Sequence, residues 1–108
     1  GCGSLKSINL SSFITKKVSN MENMFNYCSS LTSLNISNFY IDDSVVIKGM
    51  FDNCKHLTFI DISSFHRISP NDYGFFFFYL PDKGKIYVSN DFYNYTKASL
   101  RNWEIFIK

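Results

Sequence analysis

Cys2, Cys28 and Cys54 are the three cysteines of the chain, and a constant 26-residue step separates them. Thiols in such a column suggest a disulfide set or a metal ladder. Equivalent residues on neighbouring strands lie roughly 5 Å apart, which is within the Cα range of a disulfide. Three stacked thiols cannot all pair, however, and one step further on the place is taken by Leu80. A slot that accepts leucine asks for a small apolar group, so the column is expected to hold buried free thiols. Cys54-Lys-His56, with Asp61 and His66 following, offers metal-ligating residue types. No second C-x-x-C or H-x-x-x-H completes a four-coordinate set, so no metal is expected. Serines are plentiful, yet no G-x-S-x-G elbow presents one as a nucleophile. Asp42 and Asp43 are adjacent rather than opposed across a cleft, and carboxylates there suit the positive end of a helix. No catalytic residue and no cofactor is assigned, and the chain is expected not to be an enzyme.

The cysteine spacing belongs to a wider pattern. Leu5, Leu31 and Leu57 keep the 26-residue step, as do Ile8, Leu34 and Ile60, then Leu10, Ile36 and Ile62, then Phe13, Phe39 and Phe65. Met24 and Met50, and Phe25 and Phe51, keep it too, and Ile60 and Ile62 lead on to Ile86 and Val88. Within a unit the period changes. "LKSINLSSF" and "LTSLNISNF" alternate apolar and polar residues at their centres, as a strand does. "VSNMENMFNYC" places Val18, Met21, Met24, Phe25 and Cys28 on a helical stripe. The second unit repeats the stripe as Ile47, Met50, Phe51 and Cys54, with Ser44 as its expected N-cap. A 26-residue unit holding one strand and one helical segment has the size of a leucine-rich-repeat coil. Such a coil buries its apolar face only by stacking on its neighbours.

The expected fold is therefore α/β, a leucine-rich-repeat-like right-handed solenoid with coils at about 4–29, 30–55 and 56–81 and a partial coil at 82–88. Residues 89–108 leave the pattern. "DFYNYTKASL" reads as a short helix and "NWEIFIK" as a last strand, together forming a C-terminal cap over the array. The run "GFFFFYL" at 74–80 is placed by the same step: Phe76, Phe77 and Leu80 fall on core positions. Phe75, Phe78 and Tyr79 are left over; packing against the cap is expected of them, and an exposed aromatic patch for a partner is the alternative. No stretch reaches the ~20 apolar residues of a membrane-spanning helix. A net charge of +2 is too small to indicate nucleic acid as partner. Gly1-Cys2-Gly3 opens the chain without Met or a signal-peptide pattern, which reads as a processed chain or an excerpt. With no cap ahead of it, the first coil is expected to show Leu5, Ile8 and Leu10 to solvent and to self-associate through its N-terminal edge.

"VSNMENMFNYCSSLTSLNISNF" resembles the 26-residue repeat of BspA-like leucine-rich-repeat surface proteins, in the pattern V-x-x-M-x-x-M-F-x-x-C-x-x-L-x-x-L-x-L-S-x-F. Val18, Met21, Met24, Phe25, Cys28, Leu31, Leu34, Ile36, Ser37 and Phe39 fill it in order. The second pass departs where Ile47 replaces the first Met, and the third where Phe76 replaces Met and Leu80 replaces Cys. The resemblance implies a cell-surface or extracellular location and adhesion to a host or partner-cell protein or glycan. It supplies no catalytic residue; a structural stalk presenting another domain is the alternative. By analogy with solenoids, a ligand is expected on the concave sheet face, at Ser33, Asn35, Phe59, Asp61 and Ser63. Phe59 and Asp61 break an otherwise Ser/Asn pattern there. Of the sequons Asn9-Leu-Ser, Asn35-Ile-Ser and Asn94-Tyr-Thr, the first two fall inside strands, which leaves Asn94 as the usable one.

Overall fold

Leu34 pairs with Ile60 and Ile60 with Ile86, so the 26-residue step of the sequence is also the register of the backbone ladder. The computed structural model describes residues 4, 6–10, 12–13, 15–42, 44–66 and 80–108. It is mixed α/β: a four-stranded, all-parallel sheet and one short α-helix. The strands are β1 (Ser33–Asn35), β2 (Phe59–Ile62), β3 (Lys85–Val88) and β4 (Glu104–Ile107), and they lie in that order. A single 3-10 turn (Asn90–Phe92) leads into helix α1 (Tyr93–Ser99), which connects β3 to β4. The short helix and final strand expected of residues 89–108 are both present. There the step shortens, since Lys85 pairs with Glu104 and Val88 with Ile107.

Inward-facing side chains form columns across the ladder. Leu34, Ile60 and Ile86 make one; Ile36, Ile62 and Val88 make another; all are buried. Leu31 with Leu57, and Phe39 with Phe65, extend the same core. Its C-terminal side is closed by Phe92, Leu100 and Trp103. Phe92 sets its ring edge-on to Phe65 at 6.1 Å. The Trp103 indole N–H donates to the Pro81 carbonyl at 2.8 Å, which satisfies the polar atom of a buried ring. Leu80 packs partly buried against the core; the rest of the aromatic run lies outside the described residues.

The segments expected to be helical are instead tandem turns. Asn23 and Tyr27 have φ of 58° and 60°, and their equivalents one repeat later, Gly49 and Asn53, have 70° and 60°. A left-handed residue every four positions is incompatible with an α-helix. The hydrogen bonds follow suit. Met24, Asn26 and Cys28 bond back three residues, while Met21, Asn23, Phe25 and Tyr27 donate to the carbonyls of Val46, Lys48, Met50 and Asp52 in the next unit. Stacked turns thus bond to each other much as strands do. Gly49 suits this left-handed position, where any side chain is strained and a Cβ would also displace the Asn23 side-chain oxygen. Ser44 caps no helix; its N–H and hydroxyl both donate to Asp42 Oδ1, closing an Asx turn.

The first unit differs from its successors. Residues 6–10 form no strand; the Thr32 N–H donates to the Lys6 carbonyl and the Asn38 side-chain amide to the Leu10 carbonyl, joining them to the next unit. Leu10 is buried rather than solvent-facing, Ile8 is half-buried, and Leu5 lies outside the described residues. Phe13, which keeps the repeat step with the buried Phe39 and Phe65, is 53% exposed, and Val18 and Met24 are also exposed.

Candidate functional site: the outward face of the sheet

In a strand pair, side chains alternate between faces, so the parallel register sorts the outward residues into two rows. Ser33, Phe59, Lys85 and Glu104 form the first; Asn35, Asp61, Tyr87 and Phe106 form the second. Three aromatic rings meet on this face. Phe59 meets Tyr87 edge-on at 5.8 Å, and Tyr87 stacks on Phe106 at 5.1 Å. Phe59 and Tyr87 are half-buried, and Phe106 is exposed. Sequence reasoning singled out Phe59 and not its neighbours. Adding 26 to Phe59 and Asp61 reaches Lys85 and Tyr87, so the signal for those two was present. Phe106 enters through the shorter step into β4, which no repeat announces.

Asp61 departs from its expected role. It points away from the apolar core but is buried, not offered to solvent. Lys108 Nζ lies 2.7 Å from Asp61 Oδ2 and 5.1 Å from the centre of the Tyr87 ring. The Ser63 hydroxyl and backbone N–H both donate to Asp61 Oδ1, at 2.6 and 3.0 Å. Burial by itself raises the Asp61 pKa, but the hydrogen bonds from Lys108 and Ser63 outweigh it, and the carboxyl is held below its ordinary value. Lys108 moves the opposite way, raised by the same contact. The carboxylate is thus consumed in fastening the end of β4 to β2 across β3. Ser63 is half-buried in that network. Ser33 and Asn35 are exposed as expected, and Asn35 Oδ1 accepts the Ser37 N–H at 3.0 Å. Asn35 and Asp61 are therefore equivalent Asx turns that end their strands.

Beside Phe59 the face opens into a groove of about 450 Å³, bounded by Thr58, Lys83, Gly84, Lys85, Asn102 and Glu104. Its floor is tight. A Cβ on Gly84 would stand 2.7 Å from both the Thr58 carbonyl oxygen and the Trp103 ring.

The other sequence candidates are scattered. Cys54 is buried and donates to the Phe25 carbonyl at 3.0 Å; burial pushes its thiol up to about 11. Cys28 carries no free thiol: it is disulfide-bonded, which the close spacing of a stacked column permits. The expectation of free thiols therefore holds for Cys54 and fails for Cys28. His56 Nδ1 sits 2.7 Å from the Ser29 carbonyl on the surface. His66 stands 3.8 Å from Asp91, both exposed. Among the described residues, no three His, Cys, Asp or Glu side chains are grouped to hold a metal, and no helix is long and apolar enough to cross a membrane. The Asn94 sequon lies in α1, with Thr96 buried and its hydroxyl donating to the Phe92 carbonyl. Asn94 itself is exposed, but it stands on a helix rather than in the surface loop a sequon favours.

Sheet, stacked turns and outward face define a small α/β protein of in-register repeats that carries an aromatic and polar surface. Residues 2–80 match the family described as "Mycoplasma protein of unknown function, DUF285", and the chain belongs to that family. Neither a curated protein nor a solved structure matches it.

Proposed function

We propose that the chain is a stretch of right-handed, leucine-rich-repeat-like solenoid of the BspA-like kind. Its role is that of a non-enzymatic interaction module, at the cell surface or outside the cell, that binds a host or partner-cell protein or glycan. The observation that carries this reading is the continuous aromatic row Phe59–Tyr87–Phe106 on the outward sheet face. The core already has its own aromatic rings, and aromatic side chains in reach of solvent are what binding surfaces favour. Support for the repeat comes from the 26-residue register shared by β1, β2 and β3. The binding surface lies toward β2–β4 rather than across Ser33 and Asn35. Exposed Phe13 and Met24 on the first unit support self-association from that side, in place of the buried Leu10.

A spacer role is the second reading, and one observation favours it. The polar residues Asn35 and Asp61 use their side chains to close turns within their own units, as a purely structural repeat would. An array of glycans and extracellular-matrix proteins, probed with the chain and with its Phe59→Ser/Tyr87→Ser variant, separates the two. A partner retained by the chain and lost by the variant supports the module. Absence of any partner, or one indifferent to both changes, supports the spacer.

A further inference from the structure

The groove beside Phe59 combines three kinds of surface. Phe59 supplies an aromatic wall, with the remainder of its ring contact made by Tyr87. Lys83 and Lys85 stand exposed at the rim, and neither makes an ion pair among the described residues. Asn102 and Glu104 line the groove from the segment that leads into β4 and from its first residue. Clefts of a few hundred Å³ with an aromatic wall and a few placed polar groups are the usual shape of a small-ligand site.

Each group narrows the ligand. The negative face of a phenyl ring attracts the polarised C–H bonds of a pyranose, and its flatness matches the ring's apolar side. Two ammonium groups offer only donors and call for an anion. The Glu104 carboxylate offers only acceptors, so it repels a densely anionic ligand but receives hydroxyl hydrogens; Asn102 does either. A ligand with an apolar ring face, several hydroxyls and one negative charge per ring satisfies all of them. An acidic peptide satisfies the lysines but leaves Glu104 opposed and Phe59 unmatched. A neutral sugar leaves both lysines unused.

We propose that this groove is a binding site for a carboxylated saccharide, with Phe59 under the ring, Lys83 and Lys85 on the carboxylate, and Glu104 and Asn102 on hydroxyls. The assignment rests on the interaction-module reading and gives it a ligand class.

The test is a titration of the ¹⁵N-labelled chain with a glucuronate-containing tetrasaccharide at low salt. The expected result is saturable amide shifts at Gly84, Lys85, Asn102 and Glu104, with a Kd on the order of 1 mM. Lys83→Gln/Lys85→Gln should weaken binding about tenfold, and Phe59→Ala about fivefold, with the remaining spectrum unchanged. Added salt should weaken it as well. The carboxyl-reduced tetrasaccharide should bind about as poorly as the double lysine variant. Equal binding of the reduced sugar, equal binding of a tetraglutamate peptide, or shifts centred elsewhere would each overturn the assignment. If the array yields a partner that Phe59→Ser/Tyr87→Ser abolishes while the tetrasaccharide gives no shift, the saccharide site is wrong and the module reading stands. If the array yields none and the tetrasaccharide gives no shift, the module reading fails together with the site.

Discussion

Gly84→Ala puts the contact between sheet and C-terminal segment to a test whose outcome turns on its sign. The backbone at Gly84 does not occupy the left-handed region, so alanine is conformationally allowed there. Taken alone, the change should stabilise by about 0.4–1 kcal/mol, because alanine restricts the unfolded chain. The structure opposes that gain. A Cβ would approach the Thr58 carbonyl oxygen to 2.7 Å and two carbons of the Trp103 ring to 2.7 Å. Neither neighbour yields easily: the first is backbone of the unit before, and the second is a buried ring tied to Pro81. Overpacking of this kind costs about 1–3 kcal/mol, which leaves a net loss of about 1–2 kcal/mol. For a domain near 100 residues that is a fall of roughly 5–15 °C in Tm. Urea unfolding followed by fluorescence is well suited, because Trp103 is the chain's single tryptophan. The midpoint should drop by about 0.5–1 M, and native emission should shift as the ring is displaced. Lys83→Ala, one residue away and exposed, should stay within about 0.5 kcal/mol of the parent. A Gly84→Ala protein as stable as the parent, or more so, would mean that Trp103 does not lie on Gly84 and that the C-terminal segment is packed in some other way.

Cys54 should make stability fall at high pH. Its folded thiol titrates near 11 against an ordinary 9.0; the contribution is complete below pH 9 and lost as pH rises through about 11, amounting to about 2–3 kcal/mol. The difference between parent and Cys54→Ala unfolding curves across that window measures it, and a pH-independent difference would place the thiol in solvent. Asp61 should act at the acid end. Its lowered pKa gives stability that is present above the ordinary carboxylate range and lost as pH falls through the folded value. Lys108→Met should raise the Asp61 pKa, read by ¹³C NMR of the carboxyl carbon; an unmoved titration would dissolve the clip between β4 and β2. Phe13→Ser/Met24→Ser should lower self-association of the 1–108 chain in sedimentation velocity, whereas Phe106→Ser should not; the reverse order would move the sticky surface to β4.

The parallel pairing of β1, β2 and β3 was readable because the cysteine, leucine, isoleucine and phenylalanine columns keep one step, and parallel strands pair at that step. The tandem turns were not. Turns recurring every four residues bring Met21, Phe25 and Cys28 inward, as an α-helix would, so apolar spacing cannot tell the two apart. The left-handed residues that decide it are Asn23, Tyr27, Gly49 and Asn53, and only the asparagines and the glycine hint at such a backbone. The outward face was half readable. Ser33, Asn35 and Phe59 reach solvent wholly or in part, but the cover over Asp61 comes from Lys108, 47 residues away, across a strand that joins at a different step. Periodicity says nothing about a contact made outside the period. The exposure of Phe13 has the same origin, since a repeat assigns equivalent positions without saying how much of each neighbour covers them.

The claim on which everything else rests is that successive units stack in parallel at the 26-residue register and that β4 joins at a shorter step. Interstrand nuclear Overhauser contacts in the ¹³C,¹⁵N-labelled chain test it most directly. Backbone contacts are expected to link Leu34 to Ile60 and Ile60 to Ile86, and then Ile86 to Ile105, all in parallel sense. Close Hα–Hα contacts running in opposite directions, or a register displaced by even one residue, would contradict the stack and with it the outward face that carries Phe59, Tyr87 and Phe106.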